Sequence, residues 1–150
     1  MNEHASGAFL GLTLEHDRVY MHRAVLEGVA FALKDCQQII NALGIPLNRI
    51  LIAGGGSKSE LWRQIIADVL EIPLYRSNAK EQASMGAVIC AQIAAGVYGS
   101  LEEACRAQVK YSDAVTEPNP ENFRMYRESF ALYQEAYAAN KALFENLRKL

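Results

Sequence analysis

Residues 49–70 have the sequence RILIAGGGSKSELWRQIIADVL, which predicts a strand, a turn and a helix in succession. It begins with a short apolar run, Arg49 to Ala53, which predicts a buried β-strand. Three glycines follow, and Ser57 with Glu60 has the spacing of a capping box, which predicts the start of a helix. The apolar residues beyond recur at helical spacing and predict the buried side of a helix that ends near Glu71. These apolar residues are Leu61, Trp62, Ile65, Ile66, Val69 and Leu70.

The glycine turn, Gly54-Gly55-Gly56, is the candidate functional segment. Consecutive glycines permit positive φ angles and carry no side chains, so a ligand can lie against the main chain itself. The amides and the positive dipole end of the following helix favour an anion, so a phosphate or the sugar-phosphate edge of a nucleotide is the expected ligand. The segment is neither a P-loop nor a Gly-x-Gly-x-x-Gly loop, so neither of those sites is assigned. On spacing alone, a tight turn without a ligand is the alternative.

Upstream of this stretch, a long helix is predicted from Arg18 to Leu43 because apolar residues recur at steps of three and four. Gly44 and Pro46 predict its end, since the glycine can adopt the left-handed cap conformation and the proline cannot continue the helix. Gly28 lies in the middle of the helix and predicts close approach of another backbone. The apolar stripe consists of Met21, Val25, Val29, Leu33, Cys36, Ile40 and Leu43.

Downstream, strand and helix continue to alternate, which is typical of an α/β layer fold. Pro73 disfavours a further helix directly after the one that ends near Glu71, so Leu74 to Arg76 is predicted to be a second strand. A third helix is predicted from about Gln82 to Ala95, and its small residues favour close packing against a neighbouring element. A fourth helix is predicted from Ser100 to Gln108, capped by Ser100.

A turn-rich connector from Thr116 to Pro120 precedes a final helix that is rich in aromatic residues. We expect residues 1–150 to form a single domain, with residues 117–150 as a terminal helix docked on it. Large aromatic side chains pack poorly as coiled-coil knobs, which favours docking. The alternative is that this helix packs against a partner helix as a coiled coil. A second copy of this chain could then be the partner, which would give a homo-oligomer.

The composition excludes several classes of protein. The chain has 150 residues and a formal net charge of -2, so it carries no overall basic field for nucleic acid or an anionic membrane surface. It has no apolar run near the roughly 20 residues that span a bilayer, and its first residues lack the pattern of a signal peptide. We therefore expect a cytoplasmic protein with no nucleic-acid or membrane partner. The three cysteines are expected to be buried or half-buried free thiols, and the three histidines are not expected to bind a metal.

Several motifs in this order resemble the C-terminal adenosine-binding signature of the FGGY carbohydrate kinases. The resemblance rests on the stretch from Gly54 to Leu70, on Ile72-Pro73, and on Glu81-Gln82-Ala83-Ser84-Met85-Gly86-Ala87. Gly7 to Leu12, Arg23 to Val29 and Pro118 to Asn122 also resemble segments of that family. The similarity covers nearly the whole chain and is strongest to the xylulokinase branch.

The resemblance implies the fold class and the ligands. The fold would be α/β, an incomplete actin-like (ribonuclease H-like) ATPase C-terminal domain, rich in helices and with few strands. The family moves the γ-phosphate of ATP to a sugar hydroxyl, with D-xylulose the favoured sugar here. ATP or ADP and Mg²⁺ would be the cofactors, with the metal held mainly through the nucleotide. Gly54, Gly55 and Gly56 would line the nucleotide, and Ser59 would contact the adenine or, alternatively, act as a capping hydroxyl. Gln64 and Asp68 are expected to bond the helix to neighbouring loops.

The catalytic residues of that family have no counterpart here. The N-terminal Asp-x-Gly-Thr phosphate motif, the sugar contacts and the catalytic aspartate lie upstream of the matched region in the family. Asp17, Asp35, Asp68 and Asp113 match none of these motifs, so no catalytic residue and no protein metal ligand is assigned. We expect this chain by itself to be inactive and to reach a sugar only through the missing N-terminal part. A non-catalytic self-associating module and a kinase for ribulose, gluconate or glycerol are the alternatives.

Overall fold

The computed structural model describes residues 5–77, 82–147 and 149. His4, one of the three histidines, and Glu81 of the family motif lie outside these residues, and the side chain of Asp113 lies outside the described side chains. Within the described part, no helix is both long and apolar enough to cross a membrane.

A small mixed sheet forms the centre of the fold. Its strands β1 (Ile50–Ile52), β2 (Leu74–Ser77) and β3 (Tyr111–Thr116) lie in that order. Strands β1 and β2 are parallel, with Ile50 opposite Leu74, whereas β2 and β3 are antiparallel. The first two strands were predicted from sequence. The third was not predicted, because the residues before the connector form no clear alternating apolar pattern.

The prediction that the first strand is buried is wrong. Leu51 is 43% exposed, and Ile50 and Ile52 are only half-buried. The physical reason is position: among the described residues β1 lies at an edge of the sheet and pairs with β2 alone. Leu74 of the central strand is fully buried by comparison.

Helix α1 (Arg18–Ala42) agrees closely with its predicted span. At its start, the Asp17 carboxylate accepts hydrogen bonds from the amides of Val19 and Tyr20. At its end, Gly44 has a φ of 75° and donates its amide to the carbonyl oxygen of Asn41, 2.9 Å away. The next amide, that of Ile45, bonds back to Ile40, which completes a Schellman motif.

The buried face of α1 differs from the predicted stripe. Ala30, Phe31 and Gln37 are buried, whereas Val25 and Val29 are about half exposed. The helix is apolar on more than one side, and the large Phe31 ring determines which side packs. It contacts the rings of Tyr126, Phe130 and Tyr133. Gly28 has no described atom within 4 Å of a Cβ built on it, so the close approach predicted there is not found.

Helix α2 (Glu60–Leu70) is the most buried element. Its last six residues are all buried, and Ile65 is 1% exposed. Leu61, which was predicted to be on the buried side, is 51% exposed because it lies in the first turn, ahead of the packed region. The helix ends at Glu71, which has a left-handed φ of 60°.

Helices α3 (Gln82–Ala94) and α4 (Leu101–Gln108) form a pair joined through a hydrogen bond between Gln108 and Gln92. The spans and the Ser100 cap of α4 agree with the sequence prediction. The close packing predicted for the small residues of α3 is wrong for the described part of the chain, where Gly86 has open space beside it. All three cysteines are free, but Cys90 on α3 is exposed, contrary to expectation.

The last helix, α5 (Phe123–Leu147), packs across α1 and α2. Tyr126 and Phe130 on α5 are buried in the main apolar core. The hydroxyl of Tyr126 accepts a 2.8 Å hydrogen bond from Arg23 and donates a 3.1 Å bond to Glu27 on α1. Aromatic packing and this polar cluster therefore attach α5 to α1.

Candidate functional site

The glycine turn links β1 to α2 and has an unusual backbone. Gly54 has φ 75° and ψ −164°, a conformation that is essentially restricted to glycine. Residues Gly55–Lys58 then form a 3₁₀ turn. The amide and the hydroxyl of Ser57 both donate to the carbonyl oxygen of Gly54, at 3.2 and 2.7 Å. Of the three glycines, Gly54 alone requires a positive φ.

The three glycines differ in what surrounds them. A Cβ built on Gly54 or Gly55 would meet no described atom within 4 Å, so the backbone is bare and open there. A Cβ on Gly56 would lie 2.7 Å from Nε1 of Trp62. Gly54 and Gly55 thus leave space for a ligand, whereas the missing side chain of Gly56 leaves space for an indole.

Ser59 is the N-cap of α2. Its hydroxyl oxygen accepts a 3.2 Å hydrogen bond from the amide of Trp62. The predicted capping box of Ser57 and Glu60 is therefore wrong. The 3₁₀ turn carries the chain past Ser57, so Glu60 becomes the first helical residue and cannot act from the third position. Ser59 is exposed, beside the open end of the turn.

Arg63 lies within the sequence motif, but the motif predicts no role for it. It is half-buried and donates from Nη1 to the carbonyl oxygen of Ser57 over 2.7 Å. Its Nε donates to Oγ1 of Thr116 at the end of β3 over 3.2 Å. The sequence signal that could have identified Arg63 is its spacing from Ser59. Arg63 follows this cap by four residues and so lies on the same side of the helix.

Asp68 and Gln64 connect α2 to the connector that precedes α5, as predicted. Asp68 is 2% exposed, and its carboxylate accepts hydrogen bonds from the amide of Asn119 and the side chain of Asn122, each 2.7 Å long. Gln64 donates to Asp68 and to the carbonyl oxygen of Glu117. The connector is therefore fixed to the same helix that follows the glycine turn.

The described aspartate side chains have structural partners. Asp17 caps α1, and Asp35 accepts a 2.9 Å hydrogen bond from Gln134. Within the described ranges, no three His, Cys, Asp or Glu side chains are grouped as metal ligands.

Comparison with known proteins adds to this geometry. Residues 1–95 match the model of the FGGY family of carbohydrate kinases, C-terminal domain. A xylulose kinase of Staphylococcus epidermidis is 35% identical over 94% of this chain, and an autoinducer-2 kinase of Salmonella paratyphi B is 33% identical over 95%. These matches cover 28% and 27% of the two kinases, so the chain spans less than a third of the length of these relatives.

Two solved structures resemble the fold. Gluconate kinase from Lactobacillus acidophilus superposes with a TM-score of 0.83 and 30% identity, covering 96% of this chain and 29% of that one. Plasmodium falciparum glycerol kinase with ADP gives a TM-score of 0.70 and 25% identity, covering 86% and 26%. The predicted fold class, a helix-rich part of an actin-like ATPase domain with few strands, is confirmed. The chain belongs to the FGGY family of carbohydrate kinases, whose C-terminal domain its residues 1–95 match.

Proposed function

We propose that this chain forms the adenine-nucleotide side of an ATP-dependent carbohydrate kinase. Gly54, Gly55 and Gly56 line the nucleotide, and Ser59 lies beside the adenine while it caps α2. The proposal is supported by the names of the similar proteins, which include a xylulose kinase, an autoinducer-2 kinase and a glycerol kinase with ADP.

The observation that carries the proposal is the bare backbone at Gly54 and Gly55. These residues precede the N-terminus of an 11-residue helix, α2, from which the 3₁₀ turn and the cap Ser59 separate them. A helix of that length has a positive dipole end, and an anion close to it gains both charge and hydrogen-bond stabilisation. Because no described atom occupies the space where a side chain would stand at Gly54 or Gly55, a phosphate or ribose can approach the main chain directly.

Bound ATP supplies the γ-phosphoryl group that is transferred to a sugar hydroxyl. This chain contributes the loop backbone, which orients the nucleotide, and the hydroxyl of Ser59. We propose that Mg²⁺ arrives with the nucleotide phosphates, since the described residues provide no cluster of metal ligands. The chain also contributes no assigned proton acceptor for the sugar hydroxyl, so we propose that it is inactive by itself. We also propose that it is a cytoplasmic protein.

D-Xylulose is the sugar we favour, because the motifs most resemble the xylulokinase branch. Xylulose kinase is also the name of the Staphylococcus relative. The other relatives are named for autoinducer-2, gluconate and glycerol. A phosphorylation assay with these four substrates, using a protein that contains this chain together with an FGGY N-terminal domain, decides among them.

The nucleotide site is tested by Gly55→Val. Gly55 is the best of the three positions, since its φ is not positive and its Cβ position is open, so the fold tolerates a side chain there. The branched side chain would project into the space proposed for the nucleotide. We expect the dissociation constant for MgADP to rise at least tenfold in a folded variant. Gly28→Ala, at an equally open helical position, is the matched control; unchanged affinity in Gly55→Val would refute the site.

A second candidate function is self-association, and an exposed apolar surface favours it. Val25, Val29 and Leu33 of α1 are 40 to 51% exposed. Val25 and Val29 line a groove of about 830 Å³ between residues 5–12, α1 and α5. Exposed apolar patches of this kind are typical of association surfaces. Sedimentation at several protein concentrations tests this candidate, and a monomer throughout would refute it.

A further inference from the structure

Arg63 joins the glycine turn to the sheet. Its guanidinium donates one hydrogen bond to the carbonyl oxygen of Ser57 and another to the hydroxyl of Thr116, at 2.7 and 3.2 Å. The planar fork of an arginine fixes the angle between two such bonds, which a lysine cannot do. The side chain therefore connects two segments that are 59 residues apart in sequence (57 and 116).

The far end of this connection is rigid. Thr116 pairs with Leu74 of β2, which is fully buried. Directly after Thr116, the connector is held by the buried carboxylate of Asp68 through Asn119. The position of the Thr116 hydroxyl is thus determined by the core rather than by the exposed surface.

The other end of this connection is the glycine turn, which needs contacts from outside the turn to stay ordered. Three consecutive glycines lose more backbone freedom on ordering than any other residues. The hydrogen bonds within the turn, from Ser57 to Gly54 and from Ser59 to Gly56, are local and solvent-exposed. A loop that must become ordered when a ligand binds weakens the affinity by the cost of that ordering.

We propose that Arg63 is a positioning residue, which preorganises the glycine turn for its ligand by holding the Ser57 carbonyl against β3. Arg63 acts through the shape of the turn and does not touch the nucleotide. Only the identity of the ligand in this proposal rests on the proposed function. The ordering of the turn is a property of the protein without ligand and can be measured separately.

The ordering is tested by hydrogen exchange of the nucleotide-free chain. In Arg63→Gln we expect the amides of Ser57 and Ser59 to exchange about tenfold faster, the factor expected when the charge-assisted hydrogen bond from Arg63 to the turn is lost. The amides of residues 65–70 should be unchanged. Arg106→Gln, which removes an exposed ion pair with Glu102 on α4, is the control and should have no effect on the turn. Unchanged exchange at Ser57 and Ser59, or uniformly faster exchange along α2, would overturn the proposal.

Thr116→Val provides a second variant that removes the acceptor while keeping the shape of the side chain. It should accelerate the same two amides by a smaller factor, and the double variant should be no faster than Arg63→Gln alone, because both changes break one connection. Additive effects would overturn the proposal.

The consequence for the ligand is tested by titration with MgADP. Arg63→Gln and Thr116→Val should weaken binding severalfold without a matching fall in melting temperature, and Arg63→Lys should not restore it. Full restoration by lysine would indicate a direct charge effect on the phosphates and would overturn the positioning role. If the unmodified chain binds no MgADP, the proposed function fails, while the exchange experiment still decides whether Arg63 orders the turn.

Discussion

Trp62 lies directly against Gly56. The ring nitrogen of Trp62 would be 2.7 Å from a Cβ at position 56, a distance that real Cβ atoms essentially never show. A side chain of the following helix therefore requires a glycine at this position of the candidate site. Trp62 is also the one tryptophan in the sequence, so its fluorescence reports on the glycine turn.

Gly56→Ala should destabilise the protein. The new methyl group forces the indole or the turn to move, and overpacking of this kind costs about 1 to 3 kcal/mol. Chemical denaturation measures this cost, and a shift in the Trp62 emission maximum should accompany it. A second change, Trp62→Leu, should remove most of the penalty of Gly56→Ala when the two are combined. A fully additive double variant would show that the indole is not the cause.

Asp68→Asn should destabilise the protein by about 2 to 3 kcal/mol. The carboxylate accepts bonds from the Asn119 amide and the Asn122 side chain, and an amide group cannot accept all of them in this buried position. Urea unfolding followed by circular dichroism provides the measurement. Asp35→Asn, whose carboxylate accepts an exposed bond from Gln134, is the control and should change stability little. Equal effects of the two changes would contradict the account of the connector.

Acid should weaken the junction of α2 with α5. Hydrogen bonding from Arg127 is the main cause that holds the pKa of Glu71 below its ordinary value of 4.5, and the Lys34 charge adds to it. Because the folded pKa is the lower one, this contribution to stability is complete above pH 4.5 and is lost as the pH falls through the folded pKa.

Glu71→Gln should therefore lower the melting temperature at pH 7, and the difference from the unmodified chain should shrink below pH 4.5. Glu128→Gln, which removes an exposed ion pair with Arg124, serves as the control and should show a smaller effect at both pH values. A difference between Glu71→Gln and the unmodified chain that does not depend on pH would contradict the assignment.

The chain by itself should not phosphorylate sugars. A coupled assay with MgATP and D-xylulose, and then with gluconate and glycerol, should give no product above the background. The reason is that no residue of this chain is assigned as the base for the sugar hydroxyl. Turnover that remains after repeated purification would contradict the proposal that the chain supplies only the nucleotide side.

Local signals predicted much of the fold. Gly44 followed by Pro46 predicted the end of α1, and the structure has a Schellman motif at that position. The glycine turn after β1, the end of α2 near Glu71 and the bonding of Asp68 to the connector were also predicted correctly. Each of these features depends on a few neighbouring residues or on a motif that the family carries.

Features that depend on distant packing were not predicted. Strand β3 is held by pairing with β2, more than 30 residues away (77 and 111), and its own sequence has little apolar alternation. The buried side of α1 is selected by Phe31 against the rings of α5, which periodicity within α1 cannot reveal. The N-cap moved from Ser57 to Ser59 because a 3₁₀ turn intervenes, and both serines fit the local pattern.

The most direct test of the central claim is a calorimetric titration of the purified, folded chain with MgATP and MgADP up to millimolar concentration. We expect saturable binding with one site per chain, even if it is weak, because the bare backbone at Gly54 and Gly55 is already formed without a ligand. The absence of any saturable heat, in a protein whose circular dichroism and melting transition show it to be folded, would contradict the claim that the glycine turn is a preformed nucleotide half-site.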